Sequence, residues 1–394
     1  MKTLDKTFGV RVKDILEKHE IKQKDLAADC GINISSLNKI LNAGRESDFR
    51  KILALIQKII LMDGNLQEEE FMSYYIREIQ NPMNIKPAME YCDTHDMRET
   101  LEMLCERADY KADHKNRLKE FSTMYRLNME RKDQQDEKYV SKELFNKVIS
   151  QNNKTKEMKI FQLILELENY HQERNFYKLI ASLPKLKNQL DQSENNFQTP
   201  SFKMRFNKLL QTIYLRNICD FKKARELANE ALDLSIGKRF DAASYVNLGD
   251  SHIHDADPTQ AIRYLEKSIK LYNDIGLDFA AKMMRNKIEF ISILRGREID
   301  CIKIEQNVAL KYIINGQKEA ALKILDKLDI TPERLYMKGV ATDDPSYFWK
   351  SLDGFMKRGD RLYGLFTVQE LKRLGERADT IDMVYNNIEE VKHS

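Results

Sequence analysis

Hydrophobic residues recur every three or four positions along most of the chain, which is the period of an α-helix that buries one face. The first such stretch contains Phe8, Val12, Ile15 and Leu16 and predicts an amphipathic helix. Runs with the two-residue alternation of a β-strand are few. The pattern therefore predicts an all-α protein.

Residues 21–44 follow this first helix with the spacing of a helix-turn-helix. Leu26 falls on the inner face of a short helix, and Gly31 stands where the turn requires a residue that tolerates positive φ. Leu37 and Ile40, three residues apart, form the buried stripe of the second helix. The alternative is an ordinary helical hairpin within a larger helical protein.

The outward positions of the second helix are small, amide or basic, which suits phosphate oxygens and base edges. We predict that Ser35 and Asn38 read bases, while Gln23, Lys39 and Asn42 contact phosphates. Asn33 is placed to cap the second helix. The complete set of predicted DNA-contacting residues is Gln23, Asn33, Ser35, Ser36, Asn38, Lys39 and Asn42.

The distribution of charge agrees with a DNA-binding head at the N-terminus. The chain of 394 residues has a formal net charge of only +3. Its first 60 residues contain 12 Lys and Arg against 8 Asp and Glu, whereas the remaining residues contain 53 against 54. The chain as a whole is therefore not a polyanion binder, and its small basic excess lies where operator binding requires it.

The chain is too long for one hydrophobic core, so two or more modules are expected. Apolar spacing predicts a long helix from Phe49 to Met62, followed by a loop that contains Asn81, Pro82 and Pro87. Beyond this loop, helical segments separated by short breaks continue to the C-terminus.

Three of these segments share a degenerate repeat. They begin at Asp220, Asp257 and Gly316, have a small residue four positions later, and close with an aliphatic residue. The first two starts are separated by close to one tetratricopeptide unit, a helix pair of about 34 residues. The repeat predicts a right-handed solenoid of tetratricopeptide-like helical hairpins with a concave wall, and the alternative is an irregular helical bundle. The small residues are Ala224, Ala261 and Ala320.

No spacing in the sequence indicates catalysis, so we predict no enzyme activity, no catalytic residues and no cofactor. His252 and His254 point to different sides of a helix, and we expect an exposed pair near a turn rather than a metal site. Five scattered cysteines without a close pair indicate reduced thiols. No stretch is apolar enough for a signal peptide or a membrane span, so we expect a cytoplasmic protein.

The predicted concave wall offers groups that suit a peptide ligand. Asn217, Arg239, Asn247 and Asp250 place amide, cationic and acidic side chains on adjacent helices. Amide side chains pair with both the N–H and the C=O of an extended peptide, and charged side chains neutralise its ends. The alternative is that these residues only cap helices and hold neighbouring repeats together.

A helix-turn-helix fused to such repeats resembles the peptide quorum-sensing receptors of the RRNPP family, and within it the arbitrium receptors of temperate phages. The residues that carry the resemblance are the runs 238–250, 321–329, 336–339 and 347–375. The resemblance implies a dimeric transcription regulator that binds operator DNA and a secreted hexapeptide in its repeats. Peptide binding would end activation of a lysis-promoting transcript, and the phage would turn to lysogeny.

The resemblance also assigns a peptide site, made of Asn217, Arg239, Asp250, Gln306 and Asp360. Asp250 departs from the family pattern, which has an amide there, and Leu362 stands where an aromatic residue can occur. One alternative is a chromosomal or plasmid regulator of the same family that controls virulence, sporulation or conjugation. Another is a Rap-like protein antagonist, against which the helix-turn-helix weighs.

The C-terminal residues predict a final helix with an apolar stripe of Ile381, Val384, Tyr385 and Ile388. A terminal repeat has no next neighbour to cover such a stripe, so we predict that it pairs with its twin in a homodimer. In the alternative, the stripe folds back on the preceding hairpin. The predicted divisions are a helix-turn-helix domain at 1–62, a linker helix and loop at 63–90, a peptide-binding repeat domain at 91–375 and a dimerisation and capping helix at 376–394.

Overall fold

The structure, a computed structural model, describes residues 7–43, 46–64, 66–113, 115–137, 141–173, 175–193, 197–299 and 302–386. Over these ranges the secondary structure is helical and contains no strand, which confirms the all-α prediction. None of the described helices is long and apolar enough to cross a membrane. The chain divides into two compact units, residues 1–166 with 188–202 and residues 167–187 with 203–394.

The first nine helices belong to the first unit. They are α1 (Phe8–Lys18), α2 (Gln23–Asp29), α3 (Ile34–Ala43), α4 (Phe49–Met62), α5 (Glu68–Glu78), α6 (Pro82–Thr94), α7 (Arg98–Lys111), α8 (Leu118–Glu137) and α9 (Lys142–Ile149). The unit boundaries fall within the next three helices, which are α10 (Lys156–Gln172), α11 (Phe176–Asp191) and α12 (Gln198–Thr212).

The residues predicted to be buried in the first three helices are buried. The four apolar residues of α1 face the interior, and Leu26, Leu37 and Ile40 do the same in α2 and α3. Gly31 has a φ of +60° in the turn between α2 and α3, the left-handed conformation that the sequence requires there. Residues 44 and 45, at the end of the predicted motif, lie outside the described residues.

A close helix crossing holds α1 against α3. A Cβ atom added at Gly9 would lie 2.3 Å from the carbonyl oxygen of Leu41, so only glycine permits this approach. Phe8, the neighbouring residue, packs edge-on against the rings of Phe71 and Tyr75 at centroid distances of 5.9 and 5.5 Å. The backbone N–H of Phe8 donates to Glu78 Oε1 at 2.8 Å. The start of α1 is therefore fixed both to α3 and to α5.

Helix α4 has the predicted bounds, and the Asp48 side chain caps it by accepting from the N–H of Arg50 at 3.0 Å. The prediction of a loop around Pro82 and Pro87 is wrong, because helix α6 begins at Pro82 and includes Pro87. Proline fits the first helical position, and Asn81 caps the helix through the N–H of Met83. The Glu46 side chain also accepts a hydrogen bond from the N–H of Asn81 at 2.9 Å. This long-range contact supports the start of α6 and is not visible in the local sequence.

The second unit continues from α12 through a π-helical turn (Ile213–Ile218) into ten further helices. Neighbouring helices pair along the chain, and one close contact between them is at Gly249, where an added Cβ would lie 2.8 Å from Leu265. The helices are α13 (Phe221–Leu234), α14 (Lys238–Asp250), α15 (Thr259–Asp274), α16 (Asp278–Leu294), α17 (Glu305–Ile314), α18 (Lys318–Leu325), α19 (Pro332–Thr342), α20 (Pro345–Lys357), α21 (Arg361–Arg373) and α22 (Ala378–Asn386).

The small residues of the three repeat copies differ in burial. Ala224 and Ala261 are buried, but in the third copy Ala321 rather than Ala320 takes the fully buried place. Helix α18 starts two residues after Gly316, whose positive φ of +78° ends the preceding turn. The buried small residue of the third copy is therefore one position later than the repeat predicts.

The final helix packs against its own unit. Ile381 is fully buried in the core of the second unit, and Val384 and Tyr385 are half-buried against the same core. The hydroxyl of Tyr385 donates to the carbonyl of Arg361 at 3.3 Å. These contacts are those of the alternative in which the stripe folds back. Ile388 lies outside the described residues.

We expect Gly9→Ala to destabilise the first unit, because the new methyl group would overlap the backbone of Leu41. Overpacking of this kind costs about 1–3 kcal/mol. Urea unfolding of the full chain measures the loss. Gly64→Ala is the matched control, since an added Cβ there meets no atom within 4 Å. Equal stabilities of the two variants would contradict the proposed role of the crossing.

Candidate functional site

The outward face of α3 carries the side chains that were predicted to contact DNA. Ser35, Ser36, Asn38, Lys39 and Asn42 are all exposed. They lie on the side opposite the buried residues of α3, so the helix presents one continuous polar face. Two further predicted residues flank it: Asn33, whose Oδ1 accepts from the N–H of Ser35 at 2.8 Å, and Gln23, which is half-buried at the start of α2.

Asn42 has a partner within the unit. The ammonium of Lys13 on α1 donates to its Oδ1. This bond ties a polar residue of the α3 face to a basic residue of α1, so Lys13 lies at the edge of the same surface. The sequence did not single out Lys13, because its proximity to α3 follows from the crossing of the two helices.

A cluster of four charged side chains lies in the second unit. Arg216 donates through Nη1 to Asp360 Oδ2 at 2.7 Å and through Nη2 to Asp250 Oδ2 at 2.9 Å. Lys287 donates to both oxygens of Asp250, at 2.6 and 2.9 Å. The Asp250 side chain is 0% exposed, and a carboxylate so buried needs such partners. Two cations and two carboxylates therefore balance one another.

The local backbone conformation positions Arg216, Asn217 and Asp360. Arg216 and Asn217 are in the π-helical turn, which ends at Cys219 with a left-handed φ of +59°. Such turns occur frequently at functional sites. Asp360 precedes the first residue of α21, the usual place of a capping aspartate, yet its side chain makes no capping hydrogen bond. Its carboxylate is therefore available to Arg216.

The cluster changes the protonation equilibria of its cations. Burial acts to lower the pKa of Arg216, but the carboxylates of Asp360 and Asp250 outweigh it and raise that pKa above its usual value. Burial lowers the pKa of Lys287, and the attraction of Asp250 opposes this effect. Arg216 is thus held as a cation, whereas burial of Lys287 outweighs the attraction of Asp250 and leaves the pKa of Lys287 below its usual value.

A cavity of about 220 Å³ opens beside Arg216. Asn217, which is 4% exposed, donates through Nδ2 to the carbonyl of Gly359 at 2.5 Å on the cavity wall. The cavity thus lies between the π-helical turn, the end of α10 and the start of α21. Its lining residues are His171, Gln172, Arg216, Asn217, Arg358, Gly359 and Asp360.

Three of the six predicted peptide-binding residues, Asn217, Asp250 and Asp360, therefore meet around Arg216. The other three have separate partners. Asn247 donates through Nδ2 to the buried Gln211 at 2.9 Å, and Gln306 accepts from Arg334 Nε at 3.2 Å. Arg239 is half-buried at the start of α14, eleven residues before Asp250 on the same helix. Burial raises the pKa of Tyr272 to about 12, and the positive charge of Arg239 acts against this rise.

The expected exposed histidine pair is not exposed. His252 is half-buried and contacts Asp255 at 2.6 Å, whereas His254 Nε2 lies 2.7 Å from the carbonyl of Leu362. The His254 ring also packs on Phe366, at 4.2 Å between centroids. The turn after α14 runs over α21 and buries this ring, which the spacing of the histidines does not reveal. Within the described ranges, no group of three or more His, Cys, Asp or Glu could hold a metal.

Comparison with known proteins identifies the family. A family model described as AimR transcriptional regulator-like matches residues 67–373. The chain belongs to the AimR-like family. Its members are transcriptional regulators, so the chain is a regulator and not an enzyme.

Two curated relatives come from phages. The AimR transcriptional regulator of Bacillus phage SPbeta is 24% identical over 314 residues, which are 76% of this chain and 78% of that protein. The AimR transcriptional regulator of Bacillus phage phi3T is 25% identical over 222 residues, 53% of this chain and 57% of the relative.

Solved AimR structures share the fold. A structure of selenomethionine-labelled phAimR superposes with a TM-score of 0.72 at 20% identity, over 96% of this chain and all of that one. A structure of phAimR with a ligand has a TM-score of 0.63 at 22% identity, over 81% and 96% of the two chains.

Sequence reasoning missed three residues of this AimR-like site. Arg216 directly precedes the predicted Asn217, and its basic side chain was the available signal. Lys287 lies on α16, far along the chain from Asp250, and only the packing of α14, α15 and α16 brings the two together. Gln172 ends α10, which was not assigned to the site at all.

We expect Asp250→Asn to destabilise this AimR-like chain. Removing one partner of a buried ion pair costs about 3–5 kcal/mol, here because Lys287 loses its carboxylate. The double variant Asp250→Asn/Lys287→Met should lose less than the sum of the single losses, by about 0.5–3 kcal/mol. Urea unfolding of all four proteins measures this coupling.

Asp353→Asn serves as the control for that cycle, since Asp353 forms an exposed ion pair with Lys357. Such pairs contribute little. Additive losses at Asp250 and Lys287 would show that the two side chains are not energetically coupled.

Proposed function

We propose that this AimR-like protein is a peptide-regulated transcription factor of a temperate phage. A helix-turn-helix head at 1–62 binds operator DNA, and a right-handed solenoid of tetratricopeptide-like hairpins, with Arg216 and its partners on its inner wall, binds a secreted hexapeptide. The peptide ends activation of a lysis-promoting transcript and thereby favours lysogeny. The protein acts as a homodimer in the cytoplasm of the bacterial host.

The observation that carries the DNA-binding part is the polar face of α3. Its exposed residues are hydroxyl, amide and basic, without a carboxylate among Ser35, Ser36, Asn38, Lys39 and Asn42. A short helix that shows such groups while its other side is buried against α1 and α2 is suited to the major groove.

The peptide-binding part rests on the charged cluster and cavity of the second unit. Charged and amide side chains converge there from the π-helical turn, α14, α16 and α21. A solved AimR neighbour was determined with a ligand, which makes ligand binding a property to expect of this fold. Family membership supports the link between the ligand and transcription.

A homodimer agrees with a two-fold symmetric operator. Because Ile381 is buried within its own unit, a dimer contact through α22 would use the outer side of that helix, where Met383 is 65% exposed. Val384 and Tyr385 are half-buried against the same core, so only the exposed part of each side chain is left for the predicted dimer contact. Ile388, which lies outside the described residues, and the domain boundaries at 62, 90 and 375 remain predictions.

We expect Lys39→Ala to weaken binding to every DNA sequence and to lower the salt slope by about one unit, as the loss of one phosphate contact does. Asn38→Ala should instead cost about 1–3 kcal/mol on the selected operator and relax specificity at one base pair. Selection from a random duplex pool yields the operator, and fluorescence anisotropy at several salt concentrations measures both effects.

The control for the DNA experiment is Lys51→Ala, which removes an exposed charge of α4 in the same unit. It should change operator affinity little. If both α3 variants bind like the wild type, α3 does not face DNA and the assignment fails.

We expect Arg239→Ala and Asp360→Asn each to weaken peptide binding by about 2 kcal/mol or more, because each leaves a charged partner unpaired. Calorimetry with hexapeptides encoded by small reading frames next to the gene measures the affinity, and anisotropy with the operator checks that DNA binding is retained. Arg263→Ala removes an exposed charge of α15 as the control. Wild-type affinity in both site variants would place the peptide elsewhere.

A further inference from the structure

The chain that follows α3 is fastened to the corner between α5 and α6, residues 76–84. The carboxylate of Glu46 accepts hydrogen bonds from the backbone N–H groups of Gln80 and Asn81, and its two oxygens each lie 2.9 Å from the Asn81 nitrogen. Glu46 Oε2 also accepts from Asn84 Nδ2 at 3.1 Å. One side chain thus binds three donors of the corner, and all of these residues belong to the first unit.

The next residue is held by the same part of the structure. The carbonyl oxygen of Ser47 accepts from the Tyr75 hydroxyl and from Asn84 Nδ2, both at 2.9 Å. Asn84 is only 5% exposed, and its amide bridges Glu46 and Ser47. Hydrogen bonds to an ionised group are stronger than bonds between neutral groups. We therefore expect Glu46 to contribute most to this attachment.

A cation binds the other side of the corner. Arg107 of α7 donates to three carbonyl oxygens, those of Ile76 at 3.1 Å, Arg77 at 3.1 Å and Ile79 at 2.6 Å. These carbonyls end α5, where a helix has no internal partners for them and favours a cation. Burial lowers the pKa of Arg107, and the negative charge of Glu46 acts against this effect. The corner is therefore held by two opposite charges that attract each other.

The start of α1 is fixed to the same helix, α5. The N–H of Phe8 is bonded to Glu78, and the Phe8 ring packs on Tyr75. Tyr75 also contacts Phe49, the first residue of α4, at 6.2 Å between ring centroids. Helices α1 to α3 are thus held at two points, one before them and one after them. Loss of one point would leave them free to pivot about the other.

We propose that Glu46 is a positioning residue for operator binding, which fixes the direction of the α3 polar face relative to α5 and α6. The proposal rests on the proposed function, because this direction matters only if α3 binds DNA. A dimer occupies two half-sites together only when their spacing matches the geometry of its two recognition helices. Glu46 acts here through the corner and not by touching DNA.

The test compares two duplexes, the selected operator with both half-sites and a duplex with one half-site, by anisotropy with the full-length protein. Glu46→Ala should weaken binding to the full operator about tenfold, as expected for the loss of hydrogen bonds to a charged group. Binding to the single half-site should stay the same or strengthen, because one α3 needs no partner and a negative charge near DNA has been removed.

Two further variants separate position from charge. Glu46→Gln keeps one oxygen for the N–H groups of the corner, so it should weaken binding to the full operator only about threefold. It also carries the test if Glu46→Ala does not fold. Glu17→Gln removes an exposed carboxylate from α1 and is the charge control. It should not weaken binding to either duplex. Circular dichroism checks that each variant is folded at the assay temperature.

Hydrogen exchange tests the attachment without DNA. The amides of Gln80 and Asn81 donate to Glu46, so they should exchange faster in Glu46→Ala than in Glu17→Gln. Equal exchange in these two variants would show that the attachment is absent and would overturn the proposal.

The binding results decide between the remaining outcomes. Equal losses on both duplexes would indicate damage to the helix-turn-helix itself, and unchanged affinities would show that Glu46 does not position α3. Either result overturns the proposal and leaves the proposed function standing. A wild-type protein that does not prefer the full operator to one half-site would also overturn it. A wild-type protein that binds no selected duplex would refute the proposed function, and the role of Glu46 with it.

Discussion

The burial of one carboxylate, Asp250, is the constraint on which the charged cluster of the second unit depends. A buried charge must be neutralised by close partners, and here Arg216 and Lys287 supply them. The other terminal nitrogen of Arg216 donates to Asp360, which lies 144 positions further along the chain. These ion pairs connect the π-helical turn to α14, α16 and the start of α21.

The same constraint explains why Asp250 and Lys287 occur as a pair. An amide at this position would need no counter-charge, whereas an aspartate needs one, and Lys287 lies within 2.6 Å of it. Arg216, Lys287, Asp250 and Asp360 together form a formally neutral set.

The N-terminal helices α1 to α3 depend on a different constraint, the close approach of two backbones. Gly9 lets α1 cross α3 at the carbonyl of Leu41, and this crossing fixes the direction of the α3 polar face. Phe8 anchors the same end of α1 to α5. The orientation of the α3 residues that we propose to bind DNA is consequently set by the packing of α1.

The sequence by itself determined the features that depend on near neighbours. The helical period identified α1 to α4 with their buried residues, Asn33 identified a helix start, and Gly31 identified the turn. Tertiary structure decided the features that depend on distant partners. These are the helix that begins at Pro82 with the support of Glu46, and the burial of Ala321 in place of Ala320. They also include the packing of Ile381 on its own unit and the pairing of Arg216 with Asp360. The physical reason is that hydrophobic period and capping act within one or two helical turns, whereas the neutralisation of a buried charge is settled only when helices far apart in the chain come together.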